Sequence, residues 1–331
     1  MTEKLKVGLY WAASCGGCEI AVLDIDEKIL DVVAVADIVF WPVAMDTKYE
    51  DVERFPDGYM DVCFFNGGIR TEENEHMAKL LRRKSKILVA FGSCAVEGGV
   101  PGLANVWGPD DIFRTAYLES PSTPNPEKVV PQPRVDVEGG ELTLPRLLDK
   151  VRPLAEIVDV DYYLPGCPPP PELVAAALDA IVSGNLPPKG SVLAPNHTLC
   201  KDCPRNPTPG EERPQIKEMP DIKRIYEVDE IDPDKCFLEQ GLICMGPVTR
   251  SGCNARCIKG NFPCTGCMGP LDGVKDIGAK MISTLGSILM LSREREITEE
   301  EAEQLAEKVK DYIGTFYMYG LARSYIGRWL R

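Results

Sequence analysis

Residues 6–18 read KVGLYWAASCGGC. The first six of these form a short apolar run of strand length, and the turn that ends it carries a Cys-x-x-Cys pair. The same strand-then-turn unit recurs along the first half of the chain. Residues 37–42 (DIVFWP), Met60–Asn66 (MDVCFFN, closed by Gly67 and Gly68), 87–91 (ILVAF) and 158–164 are the next four expected strands. Between them, residues 20–33 carry apolar side chains at helical spacing. Residues 71–84 predict a helix with glutamates in its first turn and basic residues in its last, as the helix dipole favours. Pro171–Ser183 predicts a helix that starts on proline.

Strands interleaved with helices predict an α/β fold with a parallel sheet covered on both faces. Residues 1–186 are expected to form a flavodoxin-like doubly wound domain. Residues from about 105 to 150 break the alternation. They are proline-rich, include a small hairpin around Gly139 and Gly140, and read as an insertion on the sheet edge. Residues 187–292 are dense in Cys, Pro and Gly and are expected to form a small irregular domain that bound metal would staple. Residues 293–331 form a C-terminal helical extension, a single amphipathic helix or a pair broken near Gly314 or Gly320.

The chain has 331 residues, 44% of them hydrophobic, and a formal net charge of −14. An acidic surface repels phosphate backbones and anionic lipid heads, so nucleic acid is not an expected partner. The N-terminus shows no secretory pattern, and no apolar run approaches the roughly 18 residues of a membrane span. Cytoplasmic location without direct membrane insertion is the expectation. Thirteen cysteines in such a compartment call for metal rather than disulfides.

The cysteines are grouped. Cys15 and Cys18 follow the first strand, Cys94 (in FGSCA) follows the fourth and Cys167 (in PGCPPPP) follows the fifth. A doubly wound sheet gathers these loops on one edge, where ligands bind. Four convergent thiolates suit zinc or a [4Fe-4S] cluster, and the glycines around them let backbone N–H groups approach an inorganic core. A Cys-x-x-Cys pair alone would equally suit a redox dithiol or a zinc pair. Cys63 lies mid-strand and reads as a small buried apolar residue. Eight cysteines remain between positions 200 and 267. Division by sequence order gives Cys200, Cys203, Cys236 and Cys244 for one site, and Cys253, Cys257, Cys264 and Cys267 for another. Zinc ribbons remain an alternative for either. His197 stands three residues before Cys200 and is a further candidate ligand that the cysteine count does not require. No acid–base or nucleophilic constellation stands out, so no catalytic residue is assigned.

Together, the Cys-x-x-Cys after the first strand, the GSCA-x3-GGVPG segment and the GCPPPP segment resemble the small subunits of [NiFe] hydrogenases. The related cluster subunit of respiratory complex I shares the fold but usually carries adjacent cysteines at the first motif. The resemblance implies that Cys15, Cys18, Cys94 and Cys167 hold a proximal [4Fe-4S] cluster facing a nickel site in a partner large subunit. It implies a distal cluster on Cys200, Cys203, Cys236 and Cys244, with Cys200 where many members have histidine. The medial cluster would use Cys253, Cys264 and Cys267, and Cys257 would complete a fourth iron. Three [4Fe-4S] clusters are thus implied. The nickel site would lie outside this chain, which carries electrons. Among soluble branches the pattern is most similar to the small (gamma) subunits of methyl-viologen-reducing hydrogenases. That enzyme works with heterodisulfide reductase, so the resemblance implies a further electron-transfer subunit linking to it, for which a [2Fe-2S] protein is the candidate. Sulfhydrogenase delta subunits and complex I-like membrane hydrogenases are the alternatives.

Overall fold

The computed structural model describes residues 4–214, 216, 219, 221–291 and 298–329. Five parallel strands form the central sheet: β1 (Leu5–Trp11), β2 (Ala36–Phe40), β3 (Met60–Asn66), β4 (Ser85–Phe91) and β5 (Tyr162–Leu164). Their spatial order is β2-β1-β3-β4-β5, all in parallel register, which is the flavodoxin-like order. The order reverses direction at β1, so the carboxyl ends of β1 and β3 flank a topological switch point.

Both faces of the sheet are covered because successive side chains point to opposite sides. Along β3, Val62 and Phe64 pack on one face with Val174, Ala177 and Leu178 of helix Pro171–Ser183. Cys63 and Phe65 pack on the other with Met77, Leu80 and Leu81 of helix Glu72–Lys84. Each fully buried Val, Leu, Phe or Met among them contributes roughly 1.5–3 kcal/mol. Helix Glu72–Lys84 starts where the Thr71 Oγ1 accepts from the Asn74 N–H at 3.2 Å and Asn74 Oδ1 accepts from the Thr71 N–H at 3.2 Å. Three glutamates open it and Arg82, Arg83 and Lys84 close it.

Several local expectations differ from the structure. The helix expected over 20–33 is two helices, Gly17–Leu23 and Lys28–Val35, separated by a turn in which Asp26 takes a φ of 55°. The hairpin in the 105–150 region is present as Arg134–Val137 paired antiparallel with Gly140–Thr143. It is followed by Leu147–Arg152, which pairs with Ile69–Thr71 in a separate two-stranded sheet.

In the cysteine-rich half the described residues contain a long helix, Ile277–Leu291, that was not expected. It buries Ile277, Met281, Leu285, Ile288 and Leu289 on one face. Residues 293–297 and 330–331 of the expected extension lie outside the described residues. The rest is several short helices, among them Glu299–Glu307, Tyr312–Phe316 and Tyr325–Trp329. Phe316, Tyr317 and Leu321 share one core with Phe237, Leu242, Met245 and Met281. The C-terminal segment also reaches back to the first half. Arg323 Nη1 lies 2.5 Å from Glu97 Oε1, and the Lys150 ammonium donates to the Gly327 carbonyl at 3.2 Å. No helix among the described residues is long and apolar enough to cross a membrane.

Candidate metal centres

The sheet places the first four cysteines by topology. Cys15 and Cys18 lie in the turn and first helix after β1, Cys94 in the short helix Gly92–Glu97 after β4, and Cys167 in the loop after β5. The loops are stitched together at their bases: the Ser93 N–H donates to the Gly166 carbonyl at 2.7 Å. Gly92 has φ +82°, and a Cβ there would lie 2.3 Å from the Cys18 sulfur. Burial pushes the Cys18 thiol well up, and Cys94, Cys167, Glu19 and Cys15 add to the rise. Cys94 is pushed up to about 12 by burial and then by Cys167 and Cys15, while the Val100 N–H opposes the rise. Cys167 is raised by burial and by Cys15. The four thiols are thus mutual electrostatic neighbours, and ionising them together requires a compensating cation, whose binding releases their protons.

Cys200, Cys203, Cys236 and Cys244 form a second group. Burial raises Cys200, reinforced by Cys244, Cys236 and Cys203. Burial also pushes Cys244 up to about 12, against backbone N–H donors from Gly246 and Cys264. Cys236 is raised by burial despite the Arg213 charge and the Leu238 and Glu239 N–H groups.

The remaining four, Cys253, Cys257, Cys264 and Cys267, share one cavity of about 180 Å³ with Cys167 and Pro168–Pro171. Cys253 is raised by burial and held back by the Ala255 N–H, with Cys257 adding to the rise. Cys267 is pushed up to about 12 by burial and then by Cys253. Twelve thiols gathered in three groups, several of them met by backbone N–H donors, suit an iron–sulfur core.

The third group is in contact with each of the other two. Between the first and third, the Ser93 hydroxyl, next to Cys94, donates to the Cys267 carbonyl at 2.5 Å, and Cys167 and Cys267 line one cavity. Between the third and second, the Cys264 N–H donates to the Cys244 sulfur at 3.4 Å, and the Met245 N–H donates to the Cys264 carbonyl at 2.9 Å.

His197 is engaged elsewhere: its Nε2 lies 2.9 Å from Asp202 Oδ2, which also accepts from the Ser251 hydroxyl. Cys63 is fully buried in β3, and burial pushes its thiol up to about 12.

Sequence reasoning missed residues that shape these sites. Glu19, beside Cys18, is buried, and its carboxylate accepts from the Trp41 indole N–H and, at 3.2 Å, from the Asn66 amide. An acid placed straight after a Cys-x-x-Cys in an apolar helix was its signal. Arg205, two residues after Cys203, lies with its guanidinium 3.9 Å from the Phe237 ring centroid. It donates to the Asp232 and Lys235 carbonyls at 2.5 Å each, fixing the loop that delivers Cys236.

A family model described as the NADH ubiquinone oxidoreductase 20 Kd subunit matches residues 15–181. The iron-sulfur subunit of the F420-non-reducing hydrogenase of Archaeoglobus profundus is 44% identical over 98% of each chain. An F420-non-reducing hydrogenase subunit of Methanothermobacter thermautotrophicus is 40% identical over 98% of this chain and 97% of its own. A solved NAD+-reducing [NiFe]-hydrogenase chain is 32% identical, covering 55% of this chain and 93% of its own at a TM-score of 0.48.

Proposed function

We propose an electron-carrying role for this chain, which belongs to the NADH ubiquinone oxidoreductase 20 Kd subunit family and is a subunit of a hydrogenase, an oxidoreductase. In this reading Cys15, Cys18, Cys94 and Cys167 hold a proximal [4Fe-4S] cluster. Cys253, Cys257, Cys264 and Cys267 hold a medial one, and Cys200, Cys203, Cys236 and Cys244 a distal one. A [4Fe-4S] cluster supplies one-electron chemistry with little rearrangement. The chain's own residues fix the donors, leave only Cys15 and Cys257 exposed among them, and aim N–H groups at several of the sulfurs. The partner is a hydrogenase large subunit that holds the nickel site. The outer acceptor is a complex of the heterodisulfide reductase type, reached through a further electron-transfer subunit. A cytoplasmic location goes with this reading.

The observation that supports the proposal is the contact of the third cysteine group with both of the others. The Ser93 hydroxyl, next to Cys94, donates to the Cys267 carbonyl, Cys167 shares a cavity with Cys267, and the Cys264 N–H donates to the Cys244 sulfur. A structural zinc staple has no need of such contiguity, whereas electron transfer does.

The test is anaerobic purification of the chain with its native partners, followed by iron, sulfide and metal analysis. About twelve irons and twelve sulfides per chain, three times four, with nickel in a co-purifying subunit, is the expected result. About four irons plus zinc would leave only the first site redox-active. Zinc alone would overturn the proposal.

A further inference from the structure

Arg213 does not belong to any cysteine motif, yet the fold buries it against one. Its side chain is 10% exposed. Nη1 donates to the Arg205 carbonyl at 2.8 Å, and Nη2 lies 3.3 Å from Glu239 Oε2. These two contacts anchor the guanidinium to both loops of the Cys200, Cys203, Cys236 and Cys244 site, because Arg205 follows Cys203 and Glu239 follows Cys236. The third donor atom is different. Nε is sealed from solvent and has no hydrogen-bond partner among the described residues.

An orphaned donor of this kind is costly, and a guanidinium cannot relieve the cost by losing its proton. Cys200 and Cys236 are the thiols that feel the Arg213 charge. Cys200 and Arg213 also line one cavity of about 360 Å³, which brings the orphaned donor to the sulfur side of the site.

We propose that the Arg213 Nε–H donates to the sulfur shell of the Cys200/Cys203/Cys236/Cys244 site, and that Arg213 thereby sets the potential at which this site accepts an electron. The proposal rests on the reading of that site as an iron–sulfur cluster. Reduction adds one negative charge to the cluster. A fixed cation with an N–H aimed at it stabilises the reduced form and raises the potential. Arg213 is a positioning residue in this sense: it acts through the cluster environment and touches no substrate.

The experiment compares Arg213→Met and Arg213→Lys with the wild type in the intact complex. Iron and sulfide per chain are counted, and each cluster is followed by redox titration monitored by electron paramagnetic resonance. The expected result for Arg213→Met is full iron and a lowered midpoint for one cluster only. At the wild-type midpoint the reduced-to-oxidised ratio of that cluster should fall at least tenfold, which for a one-electron couple is about 59 mV. Arg213→Lys keeps the charge without a donor at the Nε position and should give a smaller shift in the same direction.

An unmoved midpoint in Arg213→Met with full iron would overturn the proposal and leave Arg213 as a prop for Arg205 and Glu239. If the methionine variant loses the cluster, the lysine variant decides. A downward shift supports the proposal, and a wild-type midpoint overturns it. Failure of the underlying reading is separate and visible first, as a wild-type complex that lacks the iron or the signal of a third cluster.

Discussion

Replacing Gly92 by alanine tests the construction of the first site more sharply than removing a cysteine does. Gly92 opens the short helix that carries Cys94, at φ +82°, and an added Cβ would sit 2.3 Å from the Cys18 sulfur and 3.6 Å from the Gly166 carbonyl oxygen. Two costs add. An L-residue in left-handed backbone costs about 1–2 kcal/mol. Forcing a methyl into a packed site costs typically about 1–3 kcal/mol more. The Gly166 side is backbone, so the part that yields is the Cys18 side chain, and its thiol leaves the position from which it faces Cys94 and Cys167.

Gly139→Ala is the control. Gly139 has φ +103° in the exposed hairpin, and its Cβ would meet nothing within 4 Å, so only the backbone cost applies. At about 2–4 °C per kcal/mol for a domain near 200 residues, Gly92→Ala should lower the apparent thermal midpoint by several degrees more than Gly139→Ala. It should also lose about four irons per chain, whereas Gly139→Ala keeps them all. A Gly92→Ala chain with wild-type iron and the midpoint of the hairpin variant would refute the claim that glycine is needed there to leave room for a ligand.

Three further outcomes are expected. Cys257→Ser should lower the iron count by one and introduce the paramagnetic signature of a three-iron cluster; an unchanged count would remove Cys257 from the ligand set. Cys63→Ala should leave iron unchanged and cost about 1 kcal/mol in thermal or denaturant stability, since Cys63 packs in the sheet core; loss of iron would show that the cysteine is misassigned. Burial would raise the Asp161 carboxyl, but hydrogen bonds from Lys189, Arg82 and the Leu88 N–H outweigh it and hold it below the ordinary value. Its contribution is therefore present above an unfolded value of about 3.9 and is lost as pH falls through the lower folded value. Asp161→Asn should cost about 1.5–3 kcal/mol at neutral pH and flatten the acid limb of the stability profile; an unchanged acid limb would contradict the assignment.

What the sequence made legible, and what it did not, follows from the range of the interactions involved. The five strands and the helices Glu72–Lys84 and Pro171–Ser183 rest on local periodicity and caps, and the first four cysteines inherit their common edge from strand order alone. The helix Ile277–Leu291 was legible too. Its buried residues recur at positions 277, 281, 285, 288 and 289, a helical stripe overshadowed by the Cys, Pro and Gly density around it. The relations among the eight later cysteines are another matter. They are set by backbone contacts across 20 or more residues, such as Cys264 to Cys244, which ties together two groups that sequence order keeps apart. Arg205 and Arg213 act across similar gaps, on carbonyls and a carboxylate near Cys236, in a stretch with little regular structure to predict them. In such a stretch cysteine spacing can be read directly as a motif, whereas side chains such as Arg205 and Arg213 are brought beside the cysteines only by the fold. The residues that sequence reasoning overlooks near the cysteines are therefore arginines and a buried acid, whose partners lie far along the chain.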